Sequence, residues 1–139
     1  MTAIDISALS LDLSVLLGDW RNTNAEGAIA RIVCRDVGRE GVIDVQCHGI
    51  YGNDVTDWGS VSARVYAFTF DSREAGAFNA VFRLRGTELG GTEPDGEEIV
   101  HMQANVKSGV LVVAIFTEVR DRSGRTNYFD REFFHRISK

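Results

Sequence analysis

The side chains able to do chemistry are few: three histidines, three tyrosines, two tryptophans, two cysteines and a scatter of carboxyl and amide groups. Gln46 stands two residues before His48, and Gln103 two residues after His101. On an extended strand that spacing puts both members of a pair on one face. Turned into a cavity, Gln46, His48, His101 and Gln103, with Tyr66 or Tyr128, would make one polar cluster. Such a cluster suits a ligand's polar end, or acid/base work near neutral pH. The expected catalytic set is therefore His101, Tyr66 and His48; the expected ligand-binding set is Asn22, Gln46, Gln103, Tyr128 and Trp58. The opposite facing is equally well supported by hydrophobicity. It makes a core of Ile43, Val45, Cys47, Val100, Met102 and Ala104 and leaves the imidazoles in water. Tyr66 and Tyr128 also fit ordinary packing, His135 a surface or interface position, and Asn22 a turn.

Other chemistries are excluded by what is missing. There is no nucleophile elbow and no phosphate loop, and the glycine-rich run from Gly86 to Gly91 lacks a strand-to-helix context. Cys34 and Cys47 have no partner at metal-ligand spacing and read as reduced, buried thiols. No metal or cofactor is expected. A net charge of -5, with basic residues dispersed among acids as in Arg120-Asp121-Arg122 and Asp130-Arg131-Glu132, argues against nucleic acid as a partner. No apolar run is long enough to span a membrane, and the first residues do not read as an export signal. The expected location is the cytoplasm.

The elements that must position these residues are strands. Fourteen glycines and one proline, Pro94, punctuate short apolar runs. Ser10 reads as the N-cap of a short helix that Gly18 ends. From there the period becomes two, predicting strands over 17–22, 28–35, 42–50, 60–70, 77–85, 97–106, 110–119 and 126–137. Asp57-Trp58-Gly59 falls in a loop on this reading, with Trp58 folded over one end or reaching a neighbour, and 86–96 forms a longer loop. About eight strands, joined by tight turns and lacking crossover helices, predict an all-β, up-and-down antiparallel barrel occupying 1–139 as one domain.

One strand departs from the alternation. Leu111-Val112-Val113-Ala114-Ile115-Phe116 is apolar on both faces, so its outer face needs cover. A homodimer or larger homo-oligomer is the natural cover, with the N-terminal helix as competitor.

The run Leu16-Leu17-Gly18-Asp19-Trp20-Arg21-Asn22 resembles the start of the calycin barrels, both lipocalin-like and avidin-like. The resemblance implies that Trp20 closes the barrel floor under a basic side chain of the last strand, Arg131 or Arg136, and that a ligand cavity lies inside. It also implies a ligand contact for Asn22, the position that in avidins helps hold a urea group. Glu26 stands where those barrels carry a serine, and Thr126-Asn127-Tyr128-Phe129-Asp130 replaces their tryptophan-rich last strand, which argues against biotin. The expected function is binding of a small, mostly apolar molecule in the lumen. The alternative is a small barrel cyclase or isomerase acting by substrate shaping and acid/base residues. A purely structural interaction module would instead have a filled lumen.

Overall fold

A computed structural model describes residues 10–85, 96–122 and 124–138. The period-two runs become β1 (Gly18–Asn22), β2 (Ile29–Asp36), β3 (Val42–Tyr51), β4 (Asp54–Ala67), β5 (Ala75–Arg85), β6 (Glu97–Lys107), β7 (Val110–Arg120) and β8 (Tyr128–Ser138). Each pairs antiparallel with the next, and β8 returns to β1, closing an all-β up-and-down barrel. Closure leaves no unpaired edge. No helix among the described residues is long and apolar enough to cross a membrane.

Two elements differ from the sequence expectation. The helix from Ser10 is a single turn: the amides of Leu16 and Leu17 donate to the Leu13 carbonyl at 2.9 and 3.2 Å. Asp12 takes the Ser14 amide on its side chain, while its backbone bonds to Arg73 and Ala75 beside β5. A stretch so short, stopped by Gly18, gains too little from propagation to continue. The second difference is β4, which begins at Asp54, so that Asp57-Trp58-Gly59 is strand and not loop. Tyr51 and Asp54 face each other across a tight turn there. The expected loop over 86–96 lies outside the described residues except for Gly96.

The inward faces pack as one apolar core. Ile32 and Cys34 come from β2, Ile43, Val45 and Cys47 from β3, Phe78, Ala80, Phe82 and Leu84 from β5. Val100, Met102 and Ala104 come from β6, Leu111, Val113 and Ile115 from β7, and Phe134 from β8. Cys34 and Cys47 are free thiols within it, and burial pushes the Cys34 thiol up to about 12. The outer faces carry charge, as in the fork of Arg31 on Asp19 at 2.9 and 3.0 Å. Burial disfavours the Asp19 carboxylate, but Arg31 and Arg21 outweigh it and hold the group below its ordinary value.

Trp20 closes the floor, as the resemblance implied. It is 1% exposed, its indole N–H donates to the Leu16 carbonyl at 2.9 Å, and the Arg136 guanidinium lies 4.7 Å from its ring centre. Arg136 is thus the basic side chain over the plug, and Arg131 is on the outside of β8. Trp20→Ala should destabilise the barrel by roughly 3–5 kcal/mol, the scale for emptying a large buried aromatic site. Chemical denaturation reads the loss directly, and an unchanged midpoint would show that the plug is dispensable.

Candidate functional site

The inward face of β8 reads from floor to mouth as Arg136, Phe134, Glu132, Asp130 and Tyr128, every second residue. Arg136 serves the floor and Phe134 the core. The remaining three turn the open end of the barrel polar. Across the ladder, Tyr128 faces Thr117 and Asp130 faces Ile115 on β7. On β6, Glu98 continues the inward row of Met102 and Val100. Tyr128, Asp130, Thr117, Ile115, Val100 and Glu98, with Ala28, Ile50, Tyr51 and Trp58, enclose a cavity of about 120 Å³. Glu98 and Thr117 are 4% and 3% exposed, so two polar side chains are buried at its wall.

Trp58 reaches this cavity because β4 carries a bulge. Cys47 pairs with Gly59 and His48 with Asp57, which leaves Trp58 as the extra residue. Gly59 takes a φ of 82°, the conformation such a bulge needs. The slip sends Asp57 outward and Trp58 inward. The indole then packs 5.8 Å from Phe82 and lies over Gly49, where a Cβ would stand 2.3 Å from the indole nitrogen. That nitrogen is buried beside the Tyr51 hydroxyl, yet no acceptor meets it at hydrogen-bond geometry.

Glu132, one step below the cavity, is a clamp. Its carboxylate accepts from the Asn22 side-chain amide at 2.7 Å and from the Ala28 and Ile29 amides at 2.9 and 3.2 Å. Asn22 also donates to the Ile29 carbonyl at 2.7 Å. Gly27 permits this closeness, since a Cβ there would meet both Asn22 and Glu132. Burial and the Asp130 carboxyl beside it push Glu132 above its ordinary 4.5, with the two backbone amides opposing. At the rim, Arg125 pairs with Glu98 at 2.8 Å and with Asp121 at 2.7 Å. Burial raises the Tyr51 and Tyr128 hydroxyls, and Glu98 adds to both.

Of the residues expected to form the site, Trp58 and Tyr128 line the cavity and Asn22 lies on the clamp beneath it. The expected inward cluster is corrected. Gln46 and His48 face outward from β3, and His101 and Gln103 face outward from β6, because Ile43, Val45, Cys47, Val100, Met102 and Ala104 take the inside. A wholly apolar face outweighs a mixed one for the core, and strand alternation leaves no third choice. Gln46 bridges Arg35 and Asp57, and His101 bonds Glu118 at 2.6 Å. The Nδ1 of His48 is buried without a partner. Tyr66 and Gln103 border a shallow concavity on the outside of β4 to β8, and His135 is exposed. The polar cavity residues not expected from sequence are Glu98, Thr117, Tyr51 and Asp130. Alternation from Val100 and Met102 would have pointed to Glu98, and alternation from Tyr128 to Asp130. Among the described residues, no three His, Cys, Asp or Glu gather as a metal site.

No family model, no curated protein and no solved structure matches this chain.

Glu132→Ala should cost roughly 3 kcal/mol, because it strands the Asn22, Ala28 and Ile29 donors. The pH dependence has a defined sign. A carboxyl raised by folding favours the folded state fully below 4.5, and that contribution is lost as pH rises through its folded value. The stability of wild type relative to Glu132→Gln should therefore fall as pH rises from about 4.5, measured by denaturation across pH. A difference independent of pH would contradict the raised value.

Proposed function

We propose that this protein is a small-molecule-binding barrel of calycin type whose ligand sits at the open end. One observation carries the reading: among the described residues, the apolar inward faces end at a cavity of about 120 Å³, where buried polar groups meet aromatic and aliphatic walls. Among the described residues, Trp20, Phe78, Phe82 and Phe134 are buried inside, which suits a small ligand better than a large apolar one. The space suits a small molecule, or the polar head of a longer one whose apolar body lies along Ile50, Val100 and Ile115. Two buried free thiols suit a reducing compartment, in keeping with a cytoplasmic protein.

The chain has two tryptophans in opposite settings, which gives a direct test. Trp20 is bonded at the floor and Trp58 lines the cavity. In a screen of small molecules by NMR, binders should move the Trp58 indole resonance and leave that of Trp20 in place, with Trp58→Phe supplying the assignment. Thr117→Phe, which fills the cavity, should abolish the shifts. Binders that act equally on wild type and Thr117→Phe would place the site elsewhere.

A second reading, acid/base catalysis of an isomerisation or cyclisation, is favoured by the adjacent carboxyls of Asp130 and Glu132, one of them raised by burial. Under it, Asp130→Asn would stop turnover while binding persists.

Self-association belongs to the same proposal. The outer side of β7 presents half-exposed Phe116, stacked 6.0 Å from Phe129, with exposed Phe133 nearby on β8. Equilibrium sedimentation at micromolar concentration should find a dimer or larger, and Phe116→Glu should return it to monomer. A monomeric wild type would remove this part.

A further inference from the structure

We infer that the ligand accepted at the barrel mouth is a small organic cation, an alkylammonium in its simplest form, held between carboxylates and aromatic rings. The inference rests on the mouth-cavity reading above and adds the chemical class.

The wall supplies the two kinds of group that recognise such a cation. Asp130 and Glu98 are carboxyl groups at the cavity, with Glu132 directly below and Asp121 at the rim. Arg125 offsets part of this charge through its pairs with Glu98 and Asp121. Among the described residues lining the cavity the charged groups are the carboxyls of Glu98 and Asp130, and low-dielectric walls strengthen their field. Tyr51, Trp58 and Tyr128 supply the aromatic part, and an ammonium gains further when desolvated beside such rings. Ile50, Val100 and Ile115 provide the apolar contact that an alkyl chain needs and a hydrated metal ion does not.

The bulge at Trp58 and Gly59 is the device that completes the box. A regular strand would have placed Asp57 inside and the indole outside. The slip exchanges them, so that the aromatic ring enters and the Asp57 carboxylate stays on the surface, bonded to Gln46 and the Gly59 amide.

The test compares three probes of similar size: n-propylammonium, 1-propanol and propionate, each titrated while the Trp58 indole resonance is followed. Propylammonium should bind about tenfold more tightly than propanol, the scale of one desolvated cation–π contact or ion pair. Propionate should be weakest. Asp130→Asn should remove most of the preference for the cation. Glu98→Gln should act in the same direction, and Asp130→Asn, at the more exposed position, decides the matter if loss of the Arg125 pair unfolds that variant. If propanol or propionate moves the Trp58 signal as readily as propylammonium, the cation inference falls while the binding site stands. If no probe moves it in wild type, the inference and the binding-site reading fall together.

Discussion

The barrel depends on the closure of β1 onto β8. β1 is its shortest strand, with registered partners from Asp19 to Asn22 along β8, so the ladder alone is a modest seam. Side chains reinforce it at both ends. At the floor, Trp20 and Arg136 are cross-strand partners whose ring and guanidinium stack inside the barrel. Towards the mouth, Asn22 is joined to Glu132, and Glu132 reaches past it to the amides that begin β2. One buried carboxylate thereby ties three consecutive parts of the wall together. Without that seam the meander would be an open sheet with two exposed edges, and the inward faces would lose their shared interior.

Closure also fixes what the interior can hold. Eight strands give an interior that side chains can nearly fill, and here Trp20 and three phenylalanines occupy much of it. Space survives at the end where the inward row changes chemistry, from Phe134 to Glu132, Asp130 and Tyr128 on β8 and from Val100 to Glu98 on β6. The same alternation that builds the core delivers these groups to one rim.

The strand order, the barrel and nearly all strand boundaries were legible in the sequence because period two is a strong signal and glycines mark the turns. The floor was legible too, since Gly18 and Trp20 sit where a plug is needed. The site was legible only in part. Tyr128 and Trp58, expected at a ligand site, line the mouth cavity, but the paired His and Gln residues drew attention to faces that the core had no use for. At 42–50 and 97–106 one face is apolar but for Glu98 and the other mixed, and the apolar face took the core, so the polar pairs on the mixed face had no place inside. Trp58 was harder still. Its inward course depends on a bulge, and a single inserted residue breaks the pattern from which a strand is read. Asp130 and Glu132 looked like solvated charge because they flank Arg131, yet in a closed barrel a charge at an inward position has nowhere else to go.

The energetic cost of that arrangement bears on why it exists. Glu98, Thr117 and Glu132 are buried where leucine or valine would pack with no desolvation penalty, and a buried ion pair is often no more stable than an apolar replacement. Glu132 has a structural return, since backbone donors of β2 would otherwise be stranded. Glu98 does not: its partner Arg125 is half exposed and would be solvated without it. Thr117 likewise could be valine at no loss of shape, giving up only its contact with the Tyr128 hydroxyl. Folding alone therefore accounts for the clamp and leaves the two polar groups of the cavity wall unaccounted for. Under the proposed function, a bound molecule that meets an acceptor and a hydroxyl at those two points would supply the missing stabilisation, which the histidine-bearing outer faces do not call for.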